Sequence, residues 1–367
     1  MRTIIKTRDF SDQLIPTTLN FAPAELSWAA MGGPKRATIN VESSEQAELW
    51  RLLELLRCPV TVLDDQGAPC WWGYVHEAEV IYNNLAIGVT LDALYNRIAV
   101  AYSRIVDPDE TAGERATTAW AQDAESVTEY GMRELLYSAG STSDAHALAA
   151  QAMLLASYRL PTPAVTQVRA LGSLSGITRS VLYCRGWYDT LGWRYYEDLL
   201  TNAVDTAVQA AAIASAKGQF LSGVSQEISG GSGISTSEYR DADASALYYL
   251  EELCQMGTDN NRRMLPRVDA NRTLILEEEP TSGQPAYIRS DGSLYDAFGV
   301  LLNKAQPPVG QWVRLQDVIP GSVDLNQYAD PSLFFLEAAT YTVASDYLAL
   351  TPRGVPEASD VVRSQDG

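Results

Sequence analysis

Histidine is nearly missing from this chain. Two, His76 and His146, stand among 367 residues, so any hydrolytic triad or dyad built on imidazole must use one of them. His76 follows a predicted strand, Trp71 to Val75, beside Glu77 and Glu79, and His146 falls in the first turn of a predicted helix. No G-x-S-x-G elbow accompanies either one. Cysteine is also scarce: Cys58, Cys70, Cys184 and Cys254 form no C-x-x-C pair, which argues against a structural zinc site and for buried, reduced thiols.

Positive charge is in deficit. With 27 basic against 46 acidic residues the net charge is −19, and such a surface repels nucleic-acid phosphates and anionic membranes alike. No run of about 18 apolar residues is present, and Met1 to Gln13 turns polar after Ile4-Ile5, unlike a signal peptide. The glycines from Gly230 to Gly233 lack the Lys-Ser/Thr of a phosphate loop, and Asp241 with Asp243 lack the spaced oxygens of a calcium loop. Carboxylate pairs are too numerous to single out, and Glu277-Glu278-Glu279 reads as a solvated strand end. No catalytic residue, no metal ligand and no cofactor site is therefore expected, and the chain is not expected to be an enzyme.

What is present is apolar and aromatic. At 46% hydrophobic, with 19 Tyr and 8 Trp, the chain can fill two to four packed units. The residues from 4 to 28 suit short strands and loops. Ser43 and Gln46 are placed as a capping box, and Leu49, Leu52, Leu53 and Leu56 follow at helical spacing until Pro59. Asp64 to Gly67 and Asp269 to Asn271 read as hairpin turns, between strands on either side. The two hairpins form a loose internal echo. Leu91 to Arg97 is predicted as a short helix, and Ser141 to Leu160 as a longer one with Leu148, Ala152 and Leu155 on one face. Ala203 to Gln219 and Tyr239 to Gly257 read as helices, and short apolar runs from Pro285 onward as strands.

The densest aromatic cluster is Tyr183, Trp187, Tyr188, Trp193, Tyr195 and Tyr196. Interleaved with Leu182, Cys184 and Leu191, it is expected in a core or a subunit interface. A platform for stacking sugar rings is the competing reading.

Thr118 to Glu134 carries the most specific pattern. Asp123 is placed to cap a helix over Ala124 to Tyr130, Gly131 to end it, and Met132 to Tyr137 to follow as a strand. The step Ser126, Tyr130, Gly131, Arg133, Glu134 resembles one in the tail hub proteins of tailed bacteriophages. Other segments resemble the same group, with the related late control protein D group, in the same order. They are Leu26-Ser27-Trp28 with Gly32-Gly33, Leu55 to Val60 with Asp64 to Gly67 and Trp72-Gly73-Tyr74-Val75, Leu91 to Arg97, and Cys184-Arg185-Gly186-Trp187 with Thr190-Leu191 and Trp193 to Tyr196. The likeness runs over about residues 20 to 200.

That resemblance implies an α+β, β-rich fold with two barrel-like β domains of tail-hub type and α/β insertions. The expected organisation is a first β-barrel-like domain at 1–105, completed by strands from 165–200. A helix-containing connection follows at 106–164, an α/β insertion at 201–280, a second β-rich domain at 281–355 and a polar tail at 356–367. It implies a structural, non-enzymatic virion protein made in the bacterial host cytoplasm. As a homotrimer it would form a ring at the distal end of a siphophage-type tail, around the DNA exit path. Expected partners are a distal tail or tail tube protein, the tape measure protein and tail tip or fibre proteins. Part of the negative charge is expected to line the lumen. The alternatives are a distal tail protein and a carbohydrate-binding tail or surface module.

Overall fold

The computed structural model describes residues 1–11, 18–43, 45–82, 85–105, 113–168, 178–196, 204–228, 235–236, 244–260, 262–318 and 332–353. The fold is α+β and β-rich, built on a curled, half-barrel sheet of 13 strands. Its main path runs Arg2–Ile5, Pro59–Leu63, Pro69–Tyr82, Thr178–Arg185, Gly33–Glu42, Asn20–Ala29, Leu333–Thr342, Trp312–Leu315, Ala286–Ile288 and Leu294–Tyr295. Leu85–Thr90, Ala164–Val168 and Tyr347–Pro352 branch from it. The early and late strands thus share one sheet: Leu26 lies opposite Tyr341, and Trp28 opposite Ala339.

Alternation makes these strands one-sided. Along Gly33–Glu42, Ala37, Ile39 and Val41 are buried while Arg36 and Asn40 face out, the period-2 pattern of a sheet with one face on a core. The hairpins are locked by aspartate. Asp64 Oδ1 accepts from the amides of Gln66 and Ala68, both at 2.9 Å. Asp269 Oδ1 accepts from those of Asn271 and Thr273 at 2.9 and 2.7 Å. A third turn, after Tyr295, repeats the device with Asp296. The echo between the two hairpins therefore rests at least on shared turn chemistry.

A second, four-stranded sheet sits beside the large one. Arg97–Arg104 is its centre, Glu134–Thr142 pairs with it in parallel, and Arg115–Thr117 and Ala121–Gln122 pair antiparallel. The Asp144–Tyr158 helix covers one face through Ala147, against Val100 and Tyr102. A third unit packs the helices Thr206–Lys217 and Ala246–Met256 on the strands Gly223–Glu227, Thr273–Glu278 and Met264–Val268.

Four local expectations are corrected. The leucine-periodic segment is helical only over Gln46–Trp50 and then tightens into a 3-10 turn, Arg51–Glu54. Ser43 Oγ accepts from the Glu45 amide at 3.0 Å instead of capping the helix, a local bond that competes with the capping box. Leu49, Leu52 and Leu56 are nevertheless buried. Leu91 to Asn96 is a turn, because its amides find tertiary acceptors: Tyr95 N donates to Tyr158 O at 2.9 Å and Asn96 N to Arg133 O at 3.1 Å.

The long helix is the third correction. It starts at Asp144, capped by Ser143 Oγ on the His146 amide, and buries Ala147 and Gln151 while Leu148 and Ala152 are exposed. Gln151 decides the orientation by donating to the carbonyls of Ile98 and Ala119, each at 2.7 Å. The fourth concerns the glutamate run. Glu278 and Glu279 are buried, not solvated. Arg262 reaches Glu278 at 2.5 Å, and Arg263 and Arg353 each reach Glu279 at 2.6 Å. Arg263 also holds Glu337 at 2.6 Å, so this network fastens the third unit to the Leu333–Thr342 strand.

Candidate functional site

The part of the molecule where most units meet is the segment around Gly131. Asp123 Oδ1 accepts from the Ser126 amide at 2.9 Å, as the helix cap, and its other oxygen takes Arg159 at 2.9 Å. The helix Ala124–Tyr130 ends at Gly131 with φ 85 and ψ 167. This is the extended positive-φ region open essentially to glycine alone, not the left-handed conformation in which helices commonly end. Space imposes the same choice: a Cβ on Gly131 would lie 2.2 Å from Phe220 Cζ.

Asn96, fully buried, ties this end together. Its amide nitrogen donates to Ser126 Oγ at 3.1 Å and to Gly131 O at 2.8 Å, and its oxygen accepts from the Arg133 amide at 2.8 Å. Gln219, from the third unit, pairs both ways with the backbone of Met132, at 2.7 and 2.8 Å. Glu134 is buried and accepts from Arg97 at 2.5 Å and from the Tyr195 amide at 2.7 Å. Arg57 donates to Glu129 O at 3.0 Å, and Arg8 pairs with the Glu129 carboxylate. One nonapeptide thus contacts the large sheet, the four-stranded sheet and the α/β unit. Sequence reasoning found the step itself but missed Asn96 and Gln219, whose partners lie far away along the chain.

Arg133 leads from this joint into the aromatic nucleus. Its guanidinium donates to Leu91 O and lies 4.7 Å from the Trp193 ring centre and 5.6 Å from that of Tyr95. Burial lowers its pKa, yet the aromatic faces offset part of the lost hydration. Trp187 and Trp193 pack with Tyr74, Phe10 and Phe220 at centroid distances from 5.1 to 5.6 Å. Arg57 and Arg272 stand over Phe10 at 5.5 and 3.7 Å.

The six aromatics singled out from sequence divide accordingly. Trp187 and Trp193 belong to this nucleus. Tyr188 is buried against Gly32, and Tyr196 is buried with its ring 6.4 Å from that of Tyr249. Tyr195 is half-buried near Trp120, and Tyr183 is 37% exposed on the outer face of the large sheet. The structure does not gather the six into one surface groove.

No protein-family model and no curated protein matches the sequence. Two solved structures align with it across nearly the whole chain. The 43 kDa tail protein of prophage MuSo2 from Shewanella oneidensis aligns at 8% identity and a TM-score of 0.45, covering 96% of this chain and 98% of that one. The tail protein from Neisseria meningitidis MC58 aligns at 8% identity and a TM-score of 0.43, covering 95% of each.

The two histidines are far from equivalent. His146 is exposed, with Nδ1 3.0 Å from Ser143 Oγ. His76 is 3% exposed, its Nε2 sits 2.9 Å from Asp92 Oδ1, and its Nδ1 has no partner. Tyr74 donates to Asp189 at 2.7 Å nearby, and Arg185 bridges Asp189 and Asp92 at 3.4 Å. Among the described residues no hydroxyl or thiol is bonded to His76, and all four cysteines are buried. Among the described residues no group of three or more candidate ligands could hold a metal ion.

Burial, with Arg185 adding to it against the pull of Asp92, lowers the pKa of His76 to about 4. Between about pH 6.5 and 4 the unfolded chain then binds the proton that the folded chain refuses, so stability is lost as pH falls through this window. The full difference corresponds to roughly 3 kcal/mol. Thermal unfolding of wild type and His76→Gln across pH 4 to 7 should show a steeper decline for wild type. Parallel curves would mean that His76 does not set this slope.

Proposed function

We propose that this chain is a structural component of a phage tail, and within the tail a hub. In this reading three copies form a ring at the distal end that joins the tube to the tip and surrounds the DNA exit path. The observation that carries it is where the ordered resemblance falls. Each segment from Leu26 to Tyr196 that resembles tail hub proteins lies on a strand, a tight turn or the aromatic nucleus, and the most specific one is the joint between units. A frame whose singled-out residues hold units together suits a part that transmits shape.

The remaining site observations agree with that role. His76 is paired with the Asp92 carboxylate, Nε2 to Oδ1 at 2.9 Å, an arrangement that a structural role accommodates. Its neighbours in the virion would be a distal tail or tail tube protein, the tape measure protein and tip or fibre proteins. An acidic lumen would let DNA pass without adhering. A carbohydrate platform at the aromatic cluster has little to offer a sugar, because Trp187, Tyr188, Trp193 and Tyr196 are buried.

Native mass spectrometry with negative-stain class averages of the purified chain tests the proposal. A closed ring of three copies is the expected result. A six-membered ring would favour the distal tail role, and a chain that remains monomeric at high concentration would remove the hub reading.

A further inference from the structure

The late hairpin presents a rigid apolar knob. Phe298 is 84% exposed, and Val300 and Leu301 beside it are exposed as well. The turn beneath is fixed. Asp296 Oδ1 accepts from the amides of Phe298 and Val300 at 2.9 and 2.8 Å, and Asp296 N donates to Val300 O at 2.9 Å. Tyr287 and Tyr295 stack below at 5.2 Å with an interplanar angle of 12°, and Arg289 lies 4.4 Å from the Tyr295 ring centre. Three large apolar side chains on a backbone fixed in this way need no reordering of the turn when they are covered.

The same chain carries a recess of matching size. On the four-stranded sheet, Val100 and Tyr102 pack under the Asp144–Tyr158 helix, while Ala101, Ser103, Ser138 and Gly140 line a cleft of about 260 Å³ with Arg115 and Tyr195. A benzene ring is accommodated in about 150 Å³, so one phenyl side chain fits. The Glu134–Thr142 strand that borders the cleft pairs only with Arg97–Arg104 among the described residues, so among those residues no strand covers its outer edge. Charge is complementary too. Arg115 lines the cleft, while on the knob hairpin Asp291 and Asp296 stand against one arginine, Arg289.

We propose that Phe298 of one copy seats in this cleft of the next copy. Knob and cleft are different surfaces, so the contact is head-to-tail, the kind that closes into a ring when its rotation allows. The inference rests on the ring reading above and adds which surfaces meet.

Phe298→Ala and Ser138→Trp test it, since both side chains are exposed and neither change disturbs a core. Sedimentation velocity should show each variant weakened in self-association by roughly 30-fold or more, the loss of an anchor residue, with the melting temperature unchanged. A one-to-one mixture is the decisive arm. The intact knob of the Ser138→Trp chain can enter the intact cleft of the Phe298→Ala chain, and growth then stops at a heterodimer. Variants that form rings like the wild type overturn this contact and leave the ring reading standing. A wild-type chain that never associates overturns both.

Discussion

Gly131→Ala is expected to destabilise the chain by about 2–6 kcal/mol. About 1–3 kcal/mol arises from forcing a side chain into a backbone region reserved for glycine, and about 1–3 kcal/mol from overpacking against Phe220. Gly67 supplies the control. Its φ is also positive, at +84, but a Cβ there would meet nothing within 4 Å, so Gly67→Ala should cost only about 1 kcal/mol. Urea midpoints of the two variants separate the backbone cost from the clash. The double variant Gly131→Ala with Phe220→Leu should be less unstable than the sum of its parts, because the two positions are in contact. Equal midpoints for Gly131→Ala and Gly67→Ala would mean that Phe220 yields freely and the joint is soft.

Asn96→Asp should be nearly as damaging, at about 2–5 kcal/mol near neutral pH. The change keeps the shape but replaces the two donated bonds, to Ser126 Oγ and Gly131 O, with a buried acceptor facing acceptors. Burial would raise the new carboxyl's folded pKa above its unfolded value. The penalty is then greatest at neutral pH and shrinks as pH falls through the raised folded pKa, where the neutral acid forms. Asn96→Ala loses the same bonds without a charge and should show no such recovery. Unfolding of the two variants at pH 7 and pH 5 tells them apart. An Asp variant whose deficit does not change with pH would indicate that water reaches Asn96.

Much of the local chemistry is legible in the sequence. The Asp123 cap, the Asp64 and Asp269 turns and the burial of Leu49, Leu52 and Leu56 each depend on residues within a few positions of one another. What escaped was set by distant partners. The face of the Asp144–Tyr158 helix was misassigned because Gln151 finds carbonyls at residues 98 and 119. The 91–96 segment lost its helix to carbonyls at 133 and 158. Glu278 and Glu279 looked solvated because their arginines reach them only in the folded sheet. A buried Asn such as Asn96 leaves no periodic trace at all, since its value lies in three bonds to one loop.

The large sheet places Asn20–Ala29 between Gly33–Glu42 and Leu333–Thr342. One neighbour is supplied by the next few residues and the other by the far end of the sequence. On a ribosome, the early hairpin can form as soon as it emerges, but its second edge waits until Leu333–Thr342 has been made. Throughout that interval an apolar strand stands half-paired and able to join the wrong partner. The order of strands thus makes the period of synthesis the stage at which this chain is most exposed to misassembly.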